Sequence, residues 1–167
     1  AQYDGAPIRL MEVCGTQTAE ISRHGIRHLL PPGIQMISGP GCPVCVTVTA
    51  YVDRLVWLSR QENTTVVSFG DLFRVPGSRE SLSEAKASGG HAVMVYAPSQ
   101  MLTMARQQPD HQFVFAAVGF ETTAPIYAGM IRRAKEEGLQ NLKFLTSLKT
   151  MPAALRWICD HEPDIHG

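Results

Sequence analysis

Cys14, Cys42, Cys45 and Cys159 are the residues of this 167-residue chain best suited to chemistry. Two of them fall in Gly39-Pro40-Gly41-Cys42-Pro43-Val44-Cys45-Val46, which packs two cysteines, two prolines and two glycines into eight positions. Cysteines three apart suit reversible thiol–disulfide exchange, and equally suit two thiolate ligands to one metal. A buried core has no need of so rigid and glycine-permitted a loop around two thiols. Cys14 stands in Cys14-Gly15-Thr16-Gln17-Thr18, between a predicted strand and a predicted helix start. Free amide groups and the dipole at a helix start favour a thiolate, and a thiolate binds soft metals. Taken alone, Cys14 reads as a small buried hydrophobe. Gly15 beside it and two more thiols on the same predicted edge favour a functional reading. Cys159, in Trp157-Ile158-Cys159, is expected to pack in a core.

The elements that must position these loops alternate regularly. Ile8–Val13, Ile34–Ile37, Thr64–Phe69, Ala92–Tyr96, Phe113–Val118 and Leu142–Thr146 are predicted strands. Predicted helices run from about Thr18 to Leu30, Val48 to Arg60 (capped by Thr47 or Thr49), Ser81 to Ser88 and Pro98 to Gln107. Two more run from Pro125 to Glu137 and Met151 to Asp160. Pro31-Pro32-Gly33, Gly89-Gly90 and Gly138 punctuate the pattern. Such alternation predicts an α/β fold: parallel sheet flanked by helices, in two small Rossmann-like lobes with right-handed crossovers. The expected division is residues 1–97, with Cys14 and the Cys42/Cys45 loop, and residues 98–167, incomplete at its C-terminus. Met101 and Met104 are expected in the core.

Ligands of open parallel sheets bind beyond the carboxyl ends of the strands. Four unusual loops fall there: Cys14–Thr18, Gly39–Cys45, Gly70-Asp71 through Arg74 to Gly77, and Gly119-Phe120-Glu121-Thr122-Thr123-Ala124-Pro125. Glu121, Thr122 and Thr123 read either as a helix start or as groups that move protons and orient a ligand. Asp71 and Arg74 read either as a loop ion pair or as polar lining of a cleft. None of the six histidines is spaced as a ligand partner of the cysteines, and His24 and His28 are expected to be solvated.

Composition narrows the classes. Lysine plus arginine equals aspartate plus glutamate at 15 each, which argues against an electrostatic nucleic-acid binder or a polybasic membrane surface. The apolar runs are too short to span a bilayer, and no signal-peptide pattern opens the chain. Apolar residues at 44% supply a core without a disulfide framework, so the thiols are expected to be cytoplasmic and to serve metal or redox chemistry. The first residue is Ala1, which reads as a processed or cut end.

Met11-Glu12-Val13-Cys14-Gly15-Thr16, the Gly39–Val46 run, Phe69-Gly70-Asp71 with Arg74-Val75-Pro76-Gly77, and Gly119-Phe120-Glu121-Thr122-Thr123 together resemble the HypD family of [NiFe]-hydrogenase maturation factors. They occur in the family's order, over nearly the whole chain. The resemblance implies an assembly scaffold for the Fe(CN)2CO group, rather than a stand-alone enzyme. It implies a HypC-type chaperone and a HypE-type cyanide donor as partners, and the hydrogenase large subunit as the indirect recipient. By the same resemblance, Cys14 holds iron and Cys42 with Cys45 forms a redox pair. Glu121, Thr122 and Thr123 act nearby, and Gly15, Thr16, Gln17, Asp71, Arg74 and Phe120 line the cleft. Two features depart from the family. Gln17 stands where the family usually has histidine, and glutamine neither titrates near neutral pH nor supplies an imidazole. The C-terminal cysteines that hold a [4Fe-4S] cluster in the longer family members are absent from this sequence. A thiol–disulfide oxidoreductase using Cys42 and Cys45 alone, and a structural zinc module, are the alternatives.

Overall fold

A computed structural model describes residues 3–167, which divide into two compact units. Residues 43–149 form one unit. The other joins residues up to Cys42 with residues 150–167. The expected division at residue 97 differs from this. It would cut a continuous sheet, because strands on both sides of that point pair with each other. Alternating strands and helices read the same along the chain whichever sheet each strand joins, so the pattern does not mark the seam.

In the larger unit the strands are β3 (Thr64–Ser68), β4 (Ala92–Met94), β5 (Gln112–Gly119) and β6 (Leu142–Leu148), all parallel in the order β4-β3-β5-β6. Every residue of β3, and all of β5 after its first, is buried. That is the mark of central parallel strands covered on both faces. Side chains alternate between those faces. Phe113, Phe115 and Ala117 pack with Met101 and Leu102 of α5 (Ser99–Gln107) and with Tyr127 and Met130 of α6 (Ala124–Glu136). Ala116 and Val118 join Tyr51 and Leu55 of α3 (Thr49–Ser59) and Leu82 of α4 (Leu82–Ala87). Met101 is fully buried and Met104 packs against the first cluster, as expected. The N-cap of α3 is Val48, without a side-chain cap. Thr47 instead donates its hydroxyl to the Pro43 carbonyl at 2.9 Å and so serves the cysteine loop.

The smaller unit pairs β1 (Ile8–Glu12) with β2 (Ile34–Ser38) in parallel. The single helix expected from Thr18 to Leu30 is two: α1 (Gly15–Arg23) and α2 (Ile26–Leu29). The break is Gly25, whose φ of 61° lies in the left-handed region that glycine enters at no cost. The helix α7 (Pro152–His161) starts with proline in its first turn. Its Cys159 is exposed, which corrects the expectation of a core position. After α7, the His166 amide donates to the Arg9 carbonyl at 2.8 Å and the Met11 amide to that of Gly167 at 2.7 Å, along β1. No helix among the described residues is long and apolar enough to cross a membrane.

One polar group is built into this unit's interior. The side chain of Glu12, at the end of β1, is 4% exposed. Its carboxylate accepts from Thr18 Oγ1 at 2.6 Å, Ser38 Oγ at 2.8 Å and Arg27 Nη2 at 3.1 Å. Arg27 also donates to Ser38 at 2.7 Å. Burial alone would raise the carboxyl's pKa. The hydrogen bonds from Thr18, Ser38 and Arg27, with Arg27's charge, outweigh it and hold the group below the ordinary carboxylate range.

A depressed folded-state pKa contributes stability that is present above the unfolded value and lost as pH falls through the folded one. The urea midpoint should therefore drop as pH falls below the ordinary glutamate value of 4.5, and Glu12→Gln should flatten that acid limb. Glu12→Ala should cost about 1.5–3 kcal/mol at neutral pH, the scale of charged hydrogen bonds. A neutral-pH stability equal to that of the unmodified chain would show that the cluster is dispensable.

Candidate functional site

Two loops of the smaller unit meet closely. Cys14 is the N-cap residue of α1, extended at φ −151° and ψ 119°, partly buried and free. The Gly15 amide faces the Gly41 carbonyl at 3.4 Å, and the Gly39 amide donates to the Glu12 carbonyl at 2.8 Å. A Cβ on Gly41 would fall on the Val13 carbonyl and the Cys14 amide, so only glycine permits this approach. A Cβ on Gly15 would lie 3.7 Å from that of Cys42. The loops after β1 and β2 thus bring Cys14 and Cys42 into one neighbourhood. Thr18 closes the turn, its amide bonding the Cys14 carbonyl at 2.9 Å while its hydroxyl meets Glu12. Gly15, Thr16 and Gln17 are exposed in the first turn of α1.

Cys42 and Cys45 are joined in a disulfide. Oxidised, the pair is an acceptor of two electrons and two protons. A dithiol can return them, and only the dithiol can ligate a metal as thiolates. No group of three or more His, Cys, Asp or Glu suited to a metal occurs among the described residues.

In the larger unit, the chain moves outward from β3 to β4 on one side and from β5 to β6 on the other. The carboxyl ends of β3 and β5 are therefore the switch point, where open α/β sheets bind ligands. A pocket of about 240 Å³ lies there. Its walls include Pro43 and Val44 from between the two disulfide cysteines, Ser68 at the end of β3 and Asp71 beyond it, Val118 of β5, Thr123 at the cap of α6 and Tyr127 within that helix. Asp71 accepts from the Leu72 amide at 2.8 Å and opens a single 3-10 turn, Leu72–Arg74. Gly119 is obligatory, since a Cβ there would meet the Thr123 side chain. Tyr127 donates its hydroxyl to the Val118 carbonyl at 2.8 Å. Burial, with Asp71's charge, pushes its phenol up to about 12, so it is a neutral wall rather than a base.

Of the residues singled out from sequence, Asp71 and Thr123 line this pocket. Arg74 is exposed and outside the lining, with no Asp71–Arg74 ion pair among the described residues. Glu121 and Thr122 are exposed. Phe120 is partly buried, its carbonyl accepting from the Thr123 and Ala124 amides at 3.0 and 3.3 Å. His24 and His28 are exposed, as expected. Sequence reasoning missed Glu12, whose signal was a lone carboxylate inside the apolar strand Ile8–Val13. It missed Tyr127, one helical turn beyond Thr123, and Pro43 and Val44 as pocket wall. Gly41→Ala should force the two loops of the smaller unit apart and cost about 1–3 kcal/mol, as overpacking does. Calorimetry would check the cost, and an unchanged midpoint would show that the backbone yields freely.

Residues 1–167 match the HypD family model, described as "Hydrogenase formation hypA family". The hydrogenase maturation factor HypD of Rhodobacter capsulatus is 43% identical over 154 residues, 92% of this chain and 41% of its own length. HypD of Azotobacter vinelandii is 42% identical over 151 residues, 90% of this chain and 40% of its own. HypD of Escherichia coli (strain K12) is 39% identical over 158 residues, 95% and 42%. The chain spans about two-fifths of the length of these curated relatives. With its thiol loops and parallel sheets arranged as described, the chain belongs to the HypD family.

Proposed function

We propose that this chain works in hydrogenase maturation, in the cytoplasm, as a scaffold on which iron is bound as cargo and the Fe(CN)2CO group is assembled. The single observation that carries this reading is a free Cys14 at a helix start, held by glycine-only backbone contact beside Cys42 of a disulfide. Cys14 holds the iron: its thiol is free, and thiolate sulfur suits soft metals. Cys42 and Cys45 are the redox pair, which gives up two electrons and two protons in closing its disulfide and takes them back in opening it. Glu121, Thr122 and Thr123 move protons and orient ligands. Gly15, Thr16 and Gln17 surround the iron-holding thiol in the smaller unit, and Asp71, with Arg74 and Phe120 nearby in sequence to the pocket-lining loops, serves the larger unit. A HypC-type chaperone shares the iron, a HypE-type protein supplies cyanide, and the hydrogenase large subunit is the indirect recipient. The names of the relatives support the maturation role. This chain has four cysteines, two of them in the disulfide, so a [4Fe-4S] cluster would need ligands from elsewhere.

Anaerobic co-purification with a HypC-type partner, followed by infrared spectroscopy, tests the scaffold. Bands are expected in the cyanide and carbonyl stretching region, and Cys14→Ala should remove them. Their absence, together with disulfide reductase activity that survives Cys14→Ala, would favour a stand-alone oxidoreductase instead. Stoichiometric zinc in the folded protein as purified would favour a zinc module. Gln17→His should raise the yield of assembled iron group if an imidazole serves at this position, and an equal yield would show that it does not.

A further inference from the structure

Every wall of the switch-point pocket belongs to the larger unit. Its polar side chains are those of Ser68, Asp71, Thr123 and Tyr127, and Asp71 alone among its lining residues carries a charge. Two of the hydroxyls have already committed their hydrogen. Ser68, fully buried, donates to the Phe69 carbonyl at 3.2 Å, and Tyr127 donates to the Val118 carbonyl at 2.8 Å. What both oxygens still offer is lone pairs, which only accept. Asp71 accepts the Leu72 amide on Oδ1 at 2.8 Å, which leaves Oδ2 to accept from a ligand. The charge of Asp71 helps to push up the Tyr127 phenol, so the two groups lie within electrostatic reach. The start of α6 is the part of this wall that would draw an anion, because free amides and the dipole collect at a helix start. Here those amides are occupied. The Thr123 and Ala124 amides both donate to the Phe120 carbonyl, the Ile126 amide donates to the Thr123 carbonyl at 3.1 Å, and Pro125 has no amide hydrogen. The helix dipole that remains amounts to about half a unit charge, against the full charge of Asp71.

We propose that the switch-point pocket binds a small organic cation whose N–H groups sit on a short apolar body, with Asp71 as its counter-charge and the lone pairs of Ser68 and Tyr127 as further acceptors. A hydrogen bond from a cationic N–H to a carboxylate is among the strong ones. The apolar wall of Val44, Leu72, Ala116 and Val118 receives the body of the ligand, and by excluding water it strengthens the attraction to Asp71. A bare divalent ion fits less well, since it takes about six oxygen ligands and the lining holds one carboxylate. This reading goes beyond the iron scaffold and does not depend on it, since neither Cys14 nor iron takes part.

The test titrates benzamidine hydrochloride into the full, metal-free chain with its disulfide closed, at neutral pH and constant ionic strength, and follows amide resonances by NMR. Saturable shifts centred on residues 68–72 and 119–123 are expected. Benzamide keeps the shape without the charge and should bind about tenfold or more weakly, the scale of one charge-assisted hydrogen bond. Benzoate should leave these amides unmoved. Asp71→Asn, whose carboxamide oxygen still accepts the Leu72 amide, should weaken benzamidine about tenfold or more and benzamide by less than about threefold. A benzamidine midpoint unchanged in Asp71→Asn overturns the proposal. So does benzoate binding as tightly as benzamidine, and so do shifts that never saturate and spread over exposed acids such as Glu20, Glu62 and Asp110. Retained amide dispersion shows that the variant folds. The comparison of benzamidine with benzamide and benzoate on the unmodified chain gives a reading free of any substitution, and equal midpoints for benzamidine and benzamide overturn the proposal as well.

Discussion

The smaller unit depends on one contact, the approach of the Gly41 backbone to the Val13–Cys14 peptide. Two loops leaving adjacent parallel strands would otherwise be splayed by their side chains. Without a Cβ at Gly41, the loop after β2 lies on the loop after β1 and sets Cys42 beside the start of α1. The Glu12 cluster makes this arrangement durable. Its carboxylate gathers Thr18 from the first turns of α1, Ser38 from the end of β2 and Arg27 from α2. Its carbonyl takes the Gly39 amide. A buried charge is tolerable only when it is satisfied in this way. Satisfaction requires all three elements in register, so the cluster selects one arrangement of the thiol loops over others of similar apolar burial.

The larger unit solves a different problem. Its sheet is covered on both faces, and the apolar alternation of β5 divides one strand between two clusters. The pocket arises where those clusters end and the connections from β3 and β5 part in opposite directions. Pro43 and Val44, enclosed by the disulfide cysteines, belong to its wall.

Much of the architecture was legible in the residues. The alternating strands and helices, the parallel pairing and the carboxyl-edge placement of the loops follow from periodicity, glycine and proline punctuation, and the rule for open sheets. The helix break at Gly25 was not legible, because an isolated glycine within a helical pattern signals a break only weakly. Nor was the exposure of Cys159, since flanking Trp157 and Ile158 suggest a core whichever way the helix turns. The unit boundary at Cys42–Pro43 was hidden because a seam is defined by contacts between distant segments.

Local chemistry was what the sequence by itself determined: two thiols three apart in a rigid loop, a third thiol at a helix start, and a family resemblance carried by four short motifs. Those properties depend on neighbours along the chain. Only the tertiary structure decided which groups share a volume. Glu12, 15 residues from Arg27 and 26 from Ser38, became the centre of a buried network. Tyr127 became a pocket wall, and Lys149 came to lie beside a loop that begins 30 residues earlier. The physical reason is that strand order and register fix the neighbours of each loop. These are set by long-range burial over the whole domain, which no short window of residues encodes.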